Sequence, residues 1–320
     1  MLRSISARLL ALLLFVGCDA APRLSLEREP VAPPSAPRAS SIPVDEGSAA
    51  AGTIRIASYN IQVFGTSKIG KPHVMDILAD VARRFDIIAI QEIRSIDQTV
   101  LPRFVDLINA GGASYAYLIG PRLGRTSSKE QYAFVYNSDR IELGQAPAYT
   151  VNDPEDLLHR EPIVASFRVR GPSPERAFTF QLANIHTDPD ETDTELDALA
   201  EVFVAVQRAS AEDDVILLGD LNVDEYNLGR LGQLPGIVYA ISGTTTNTRR
   251  TRMYDNLVFD GRFTAEFTGR AGVLDLIAEY GLTEAQALEV SDHFPVWAEF
   301  SALETEVGDL VAERPSAGVR

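Results

Sequence analysis

The chain has 320 residues, enough for one large domain or two smaller ones, and an apolar content that allows a sizeable core. It carries 29 Lys and Arg residues against 45 Asp and Glu residues, a formal net charge of -16 at pH 7. Proteins that store nucleic acid by bulk attraction are basic, so this charge argues against that class. It leaves open an enzyme that turns over a polyanion with metal ions and a few well-placed arginines.

Residues 1–18 are typical of a signal peptide. Arg3 and Arg8 precede an apolar run at 9–16 that is too short to span a bilayer stably. The run leads to Cys18, the only cysteine of the chain, and this pattern resembles a bacterial lipoprotein signal. An ordinary secretory signal with an incidental cysteine is the alternative. Both predict export, either to the bacterial cell envelope as a lipoprotein or by secretion, with membrane contact only through an N-terminal lipid anchor.

Two further segments are predicted to lie outside the folded unit. Residues 19–52 are rich in Pro, Ala and Ser and are predicted to form a flexible, disordered tether. Residues 301–320 contain few apolar residues and are predicted to form a loose tail. The folded unit is therefore predicted at 53–300, as one domain.

Apolar periodicity predicts a mixture of strands and helices along this unit. Strands are predicted at 53–61, 87–90, 115–119, 132–136, 163–169, 178–185, 215–218, 257–259 and 296–300. Helices are predicted at 72–84, 99–110, 192–208, near Leu228 and at 273–280. The run 215–218 has only apolar residues, which is typical of a strand buried on both faces. Together these elements indicate a layered α/β domain with its site at strand ends.

Polar residues follow several of the predicted strands. Asp220 comes directly after the 215–218 run and Gly219, and Asn222 and Asp224 follow it. Asp and Asn are common in turns, so a simple turn is one explanation for this group. Carboxylates and two of the four histidines stand at other strand ends too, which favours a site over a set of turns. These strand-end residues are Asn60, Glu92, His186, Asp220, Asp292 and His293. Oxygen ligands of this kind suit Mg²⁺, Mn²⁺ or Ca²⁺ better than zinc.

Short motifs in a fixed order carry a family resemblance. They are Ser58-Tyr59-Asn60-Ile61, Gln91-Glu92-Ile93-Arg94, Asn184-Ile185-His186, Gly219-Asp220-Leu221-Asn222, Tyr254-Asp255-Asn256 and Ser291-Asp292-His293-Phe294-Pro295. Together they resemble the endonuclease/exonuclease/phosphatase superfamily. Leu123-Gly124-Arg125, Lys129-Glu130-Gln131-Tyr132 and Arg160-Glu161-Pro162 resemble its deoxyribonuclease I branch in particular. The resemblance implies an α/β four-layer sandwich, with two mainly antiparallel β-sheets packed face to face and helices outside.

The resemblance also implies a role for each matched residue. Glu92 matches the principal metal ligand, with Asn60 and Asp292 beside it. Asp220 matches an aspartate that orients or deprotonates the attacking water or holds a second metal. The remaining matches are Asp255 and Glu130 behind His293 and His186, and the substrate-binding residues Arg94, Arg125, Arg160 and Asn222. The implied cofactor is Mg²⁺ or Mn²⁺, and Ca²⁺ is a further candidate at a structural site formed by Asp153, Asp156 and Glu161.

Phosphodiester hydrolysis needs an activated water, stabilised charge on the phosphate and a proton for the leaving oxygen. His186 is predicted to supply that proton, and His293 to contact the phosphate and assist the water, with the reverse assignment open. The leading interpretation is an exported, monomeric, metal-dependent endonuclease acting on double-stranded DNA. The alternatives are a sphingomyelinase-like lipid phosphodiesterase, which would need exposed apolar loops, and a surface binding module that has lost catalysis.

Some residues depart from the deoxyribonuclease I pattern. That branch holds the minor groove of DNA with two arginines and a tyrosine; Arg94 keeps one arginine, whereas Gln62 and Ser128 occupy the other two positions. Losing a charge and an aromatic ring predicts a weaker hold on the groove and a shallower salt dependence. A disulfide of the branch is replaced here by Glu225 and Arg252, which are predicted to form an ion pair.

Overall fold

The computed structural model of the protein describes residues 25–30, 52–210 and 212–305. Its strands are β1 (Ser25–Pro30), β2 (Thr53–Phe64), β3 (Ile87–Ile93), β4 (Tyr115–Ile119), β5 (Gln131–Asn137), β6 (Ile141–Leu143), β7 (Tyr149–Asn152), β8 (Ile163–Val169), β9 (Thr179–His186), β10 (Val215–Asp220), β11 (Ile237–Tyr239), β12 (Asp255–Asp260), β13 (Phe267–Val273) and β14 (Val296–Ser301). Its helices are α1 (Thr66–Ile69), α2 (Pro72–Arg83), α3 (Val100–Asn109), α4 (Thr192–Ala209), α5 (Gly229–Gln233), α6 (Leu276–Tyr280) and α7 (Glu284–Val290).

The strands form two sheets, which we name sheet A and sheet B. Sheet A has the order β1-β7-β8-β9-β10-β12-β11, with β6 pairing to β8, and sheet B has the order β13-β14-β2-β3-β5-β4. The pairs β9–β10 and β2–β3 are parallel. The other pairs are antiparallel. The prediction of two mainly antiparallel sheets is confirmed.

Three clusters of buried side chains show how the layers stack. The first lies between the sheets, where Phe167 contacts Phe134 edge to face and stacks on Phe180, with ring centroids 5.4 and 5.9 Å away. The second joins sheet B to α2 and α3, and the third joins sheet A to α4. Helices therefore cover the outer face of each sheet, as expected for a four-layer sandwich.

Strand β10 is buried on both of its faces, as predicted. Ile216 and Leu218 belong to the cluster between the sheets, and Val215 and Leu217 to the cluster beneath α4. Successive side chains of a strand point to opposite faces, so an unbroken apolar run suits this central position. Each such side chain contributes roughly 1.5–3 kcal/mol when fully buried. The strand that presents Asp220 is thus held from both sides.

The C-terminal third differs locally from the prediction. The helix predicted at 273–280 begins only at Leu276, because strand β13 runs to Val273. Asp275 caps this helix by accepting hydrogen bonds from two backbone amides of its first turn. The helix α7 was not predicted, although its capping box between Thr283 and Gln286 is a signal that the sequence contains.

The boundaries of the folded unit also need correction. Strand β1 lies within the predicted tether and pairs with β7, whose outer edge can accept another strand. At the other end, β14 includes Ser301, and Leu303 forms a bridge with Ala177. The remainder of the tether and tail, and the predicted signal at 1–18, lie outside the described residues and stay predictions. No helix within the described ranges is long and apolar enough to cross a membrane.

Candidate active site

Three strands of sheet A bring polar residues to the same edge. Because β9 and β10 are parallel, the register places His186 beside Asp220, the last residue of each strand. Strand β12 runs antiparallel to β10, so its first residue, Asp255, lies on the other side of Asp220. The strand-end residues predicted for this sheet therefore form one row.

Sheet B brings a second group of polar residues to the facing edge. The parallel pair β2–β3 aligns Asn60 with Gln91, and Glu92 follows. Glu130 directly precedes β5, and His293 precedes β14 by three residues. The two sheets pack face to face, so their polar edges meet at one end of the sandwich.

Two histidine–carboxylate pairs converge on a single oxygen atom. The Nδ1 atom of His186 lies 2.8 Å from Glu130 Oε1, and Nδ1 of His293 lies 2.8 Å from Asp255 Oδ2. Asp220 Oδ2 lies between them, 3.5 Å from Nε2 of His186 and 3.4 Å from Nε2 of His293. A carboxylate behind each ring fixes its tautomer and leaves Nε2 to face the reaction.

These carboxylates raise the pKa of both histidines. Burial alone would lower the pKa of His186, but Glu130 and Asp220 outweigh it and raise the value. Burial is likewise outweighed at His293, where Asp255 and Asp220 raise the pKa well above the usual range. The neighbouring carboxylates therefore favour the protonated form of both imidazole rings.

The predicted metal ligands provide a set of hard oxygen atoms. The Nδ2 atom of Asn60 donates to Asp220 Oδ2 at 3.0 Å and lies 3.4 Å from Glu92 Oε1. Glu92 Oε2 accepts the backbone N–H of Val63 at 2.7 Å. Asp292 Oδ1 is buried without a hydrogen-bond partner. Asp292 Oδ1 lies 3.9 Å from Nε2 of His293, and carboxylate and amide oxygens of this kind fit a divalent cation.

Backbone strain is concentrated at these strand ends. In the described part of the chain, six non-glycine residues have positive φ, and four of them, Gln62, Val63, Glu92 and Asn222, lie here. A β-branched residue rarely adopts this conformation, yet Val63 has a φ of 50° and directs its N–H to Glu92. The strained backbone thus helps to orient the principal predicted metal ligand.

Two of the arginines predicted to bind substrate interact with the catalytic carboxylates. Arg160 is 4% exposed, lies 3.2 Å from Glu130 and donates to the carbonyl of His186. Arg160 thus compensates the buried charge of Glu130, and its predicted contact with phosphate stays a prediction. Arg94 is more exposed and lies 3.2 Å from Glu92, at the rim of the site.

The other two predicted substrate-binding residues are Arg125, between β4 and β5, and Asn222, just after β10. Arg125 forms ion pairs with Asp156 and Glu191, so a phosphate would have to displace a carboxylate from it. Asn222 donates to the carbonyl of Thr187 at 2.8 Å, next to the end of β9. Asn222 therefore remains beside Asp220, where the motif predicts it.

The predicted calcium loop has mixed features. Asp153 Oδ2 accepts the backbone N–H of Leu158 at 2.6 Å, while its Oδ1 atom is buried without a partner. Burial, together with Asp153 and Asp156, raises the pKa of Glu161. Arg125 forms an ion pair with Asp156, so its guanidinium would compete with a calcium ion for that carboxylate. This calcium site stays a prediction.

The predicted ion pair between Glu225 and Arg252 is wrong. Glu225 is 5% exposed, and its Oε1 atom accepts from Ser242 Oγ at 2.9 Å and from the Gly243 amide at 2.7 Å. Arg252 is exposed to solvent. A buried carboxylate already satisfied by a hydroxyl and an amide gains little from leaving them for an exposed guanidinium.

Lys68 is a buried residue near the site that the sequence does not single out. Its ammonium donates to the carbonyls of Ile61, Gln62 and Val290, at 2.5, 2.6 and 2.7 Å. Burial lowers its pKa to about 8, opposed by Asp292 and other carboxylates. Lys68 thus joins the strained end of β2 to the segment before the predicted metal ligand. Lysines are usually exposed, so only the tertiary structure reveals this contact.

Two hydroxyl groups also support the catalytic residues. Thr246 Oγ1 donates to Asp255 Oδ2 at 2.6 Å, and the Tyr132 hydroxyl accepts the backbone N–H of His186 at 3.0 Å. Both residues are buried. Such contacts fix the orientation of the predicted catalytic side chains.

Comparison of the sequence with known proteins finds a matching family and clear relatives. The Endonuclease/Exonuclease/phosphatase family matches residues 57–293. Deoxyribonuclease-1-like 1 of Sus scrofa is 35% identical over 260 residues, covering 77% of this chain and 81% of the relative. Deoxyribonuclease gamma of Rattus norvegicus is 31% identical over 263 residues, covering 76% and 83%.

Solved structures agree on the fold. Humanized D. rerio TDP2 has a TM-score of 0.55 at 15% identity, covering 78% of this chain and 98% of that one. The human Nocturnin catalytic domain with bound sulfate anion has a TM-score of 0.52 at 14% identity, covering 78% and 93%. The sequence matches and the shared fold make this protein an enzyme of the nuclease and phosphodiesterase type. The chain belongs to the endonuclease/exonuclease/phosphatase family.

Proposed function

We propose that the protein is an exported, metal-dependent endonuclease that hydrolyses DNA to 5′-phosphate and 3′-hydroxyl ends. The observation that carries this proposal is the convergence of two histidine Nε2 atoms on Asp220 Oδ2, at 3.5 and 3.4 Å. This arrangement offers proton donors and acceptors on both sides of one small space, as in-line attack on phosphorus requires. The signal pattern at 1–18 supports export.

His186 is assigned as the general acid. When the P–O3′ bond breaks, the leaving oxygen needs a proton, and Nε2 of His186 supplies it. Glu130 holds the opposite ring nitrogen at 2.8 Å and favours the protonated ring. Arg160 in turn balances the buried charge of Glu130.

Asp220 and His293 are assigned to the attacking side. The water oxygen forms the new bond to phosphorus, and its proton passes to Asp220. His293 contacts the phosphate and assists the water, held by Asp255 at 2.8 Å. Asn222 provides an amide for the phosphate. These roles account for each carboxylate that backs or faces a histidine.

A divalent cation would be held by Asn60, Glu92 and Asp292, with Asp220 as a further ligand. When bound, such a cation stabilises negative charge on the phosphate and lowers the pKa of a coordinated water. Mg²⁺ and Mn²⁺ are the candidates, because the donor atoms are carboxylate and amide oxygens.

The proposal is tested by nicking of supercoiled plasmid with purified protein and Mg²⁺. We expect nicked and then linear DNA, loss of cleavage with a chelator and recovery when Mg²⁺ is added back. End labelling should find phosphate on the 5′ ends. Protein that is folded and loaded with Mg²⁺ but leaves DNA intact would exclude the DNA endonuclease and would favour a lipid substrate or a binding module.

Glu130→Gln is expected to identify the acid by its effect on pH dependence. The Glu130 carboxylate raises the pKa of His186, so its removal should lower that pKa. An acid must be protonated and loses activity as pH rises through its pKa, so the alkaline limb of kcat/KM should move to lower pH. If the acidic limb moves to lower pH instead, His186 is the base. Asp255→Asn provides the matched change behind His293.

Ser128→Tyr combined with Gln62→Arg is expected to lower KM for duplex DNA and leave kcat nearly unchanged. The two changes add an aromatic ring and a cation at positions that contact the minor groove in the deoxyribonuclease I branch. Ser128 accepts a hydrogen bond from Arg94 at 3.1 Å, which places its loop at the rim of the site. Steady-state kinetics at several salt concentrations measure the effect, with Ser127→Tyr as the control. Unchanged KM and salt slope would mean that the loop does not touch DNA.

A lipid phosphodiesterase is the second candidate, because the structure corrects one expectation. The sequence predicts no exposed apolar loop, yet Val63, Ile96 and Tyr226 are 53, 84 and 74% exposed. These residues follow the site residues of β2, β3 and β10 along the chain. Single exposed apolar residues are common, so DNA remains the favoured substrate. Sphingomyelin vesicles assayed beside the plasmid separate the two candidates.

A further inference from the structure

A second group of carboxylates lies at the end of β10 opposite the active site. Asp214 precedes β10, Glu266 precedes β13 and Glu304 follows β14. Each places one oxygen within 4.8 Å of the others, as compact as the two groups that surround the active-site histidines. Strand β10 has 6 residues, about 20 Å, and separates Asp214 from Asp220. The two sites are therefore distinct.

No basic side chain in the described ranges forms an ion pair with Asp214, Glu266 or Glu304. Among the described residues, the groups that act on Asp214 and Glu304 are other carboxylates and hydrogen-bond donors, Glu212 and Glu266 among them. Burial and these neighbours raise the pKa of Asp214 to about 8 and that of Glu304 to about 7. Asp214 and Glu266 are buried and Glu304 is exposed. Like charges on buried side chains are unfavourable unless protons or a cation neutralise them.

Three buried oxygen atoms in this group have no hydrogen-bond partner. They are Asp214 Oδ1, Glu266 Oε2 and Thr264 Oγ1. Thr264 is 2% exposed, and its hydroxyl is near enough to Asp214 to lower the pKa of that carboxyl, although it forms no hydrogen bond of ordinary geometry. A buried neutral hydroxyl normally has a hydrogen-bond partner. The missing partner of Thr264 is therefore an observation separate from the repulsion among the carboxylates.

The backbone fixes how these carboxylates are oriented. Glu266 Oε1 accepts the amide of Thr305 at 2.6 Å, and Glu304 Oε2 accepts the amide of Thr179 at 3.2 Å. One oxygen of each carboxylate is thus used for structure, and the other is available to a ligand. The ligand atoms are held in place before any ion arrives.

We propose that Asp214, Thr264, Glu266 and Glu304 bind a calcium ion. Calcium accepts many oxygen ligands in irregular geometry, whereas Mg²⁺ demands a near-octahedral shell and keeps several waters. Asp214 directly precedes β10 of sheet A, and Glu266 and Glu304 flank strands of sheet B. The ion would therefore join the two sheets and the segment after β14, and stabilise the fold without contacting the reacting atoms.

The test uses the full chain with Glu92→Gln and Glu161→Ala, which remove carboxylates from the active site and from the 153–161 loop. Calorimetric titration with CaCl₂ is expected to detect one bound ion, and calcium should raise the thermal midpoint. Adding Glu266→Gln or Asp214→Asn should weaken binding by about tenfold or more, since even outer-shell partners of a metal contribute roughly 10–100-fold. Asp213→Asn removes an exposed neighbouring carboxylate and should change neither quantity.

Several results would refute the proposed calcium site. They are absence of calcium binding in the starting chain, tighter binding of MgCl₂ than of CaCl₂, and unchanged calcium affinity in folded Glu266→Gln and Asp214→Asn. If both of those variants fail to fold, Thr264→Val decides the question, because it removes only a neutral hydroxyl. Its calcium affinity should fall while its metal-free circular dichroism stays the same, and unchanged affinity would refute the proposal.

Discussion

His186→Ala and His293→Ala are each expected to lower kcat/KM for plasmid nicking by about 10²–10⁴-fold, the usual contribution of a general acid or base. The Nε2 atoms of both rings lie within 3.5 Å of the same Asp220 oxygen, so the residues act as one unit. The double variant should therefore lose much less than the product of the two single effects. Single-turnover cleavage of a labelled duplex measures the chemical step directly.

His73→Ala is the matched control for these variants. Its ring is exposed and pairs with Glu289 on the protein surface. The same chemical change there should leave both cleavage and circular dichroism unchanged. If His186→Ala or His293→Ala retains near wild-type cleavage, the role assigned to that histidine is wrong.

Gly219→Ala is expected to destabilise the fold by about 3 kcal/mol, the upper end of the usual cost of overpacking. A Cβ atom at this position would lie 1.8 Å from the backbone oxygen of Ile185, and the φ of 156° is unfavourable for alanine as well. Relief of the clash requires β9 and β10 to move apart. Because the same register pairs Asp220 with His186, activity should fall with stability.

Thermal unfolding provides the measurement for Gly219→Ala. A loss of this size corresponds to a decrease of roughly 6–12 °C in the midpoint for a domain of this length. Gly171→Ala is the control, because Gly171 has a φ of 111° but no atom within 4 Å of the added Cβ. A wild-type midpoint for Gly219→Ala would show that the two strands tolerate the extra methyl group.

The sequence by itself determined which residue types stand at the strand ends. The apolar run 215–218 predicted a buried strand that delivers Asp220, and β10 continues through Gly219 to end at Asp220 itself. Local periodicity predicts strand positions, and Glu92 and His186 were placed correctly near the ends of strands. The strand predicted at 53–61 continues to Phe64, so Asn60 lies instead where the regular pairing of β2 with β3 stops. The ordered motifs then indicated the family, because each motif carries a residue type that the chemistry needs.

Other features were not accessible from local patterns. Arg160 was predicted to bind substrate, and the sequence did not indicate that it also lies 3.2 Å from Glu130, a buried carboxylate that requires a nearby charge. Lys68 is buried for a comparable reason, since three backbone carbonyls from two segments need a donor. In both cases the partner is distant in the chain, and its position depends on how the two sheets pack.

Only the tertiary structure decided the arrangement of the catalytic groups. The strands of sheet A place His186 and Asp220 side by side, but His293 reaches the same Asp220 oxygen from sheet B. No spacing in the sequence encodes that distance, because it results from packing of the apolar faces between the sheets. The positive φ of Val63 has the same origin: a β-branched residue alone would avoid it, and the surrounding fold holds it there to direct an amide to Glu92.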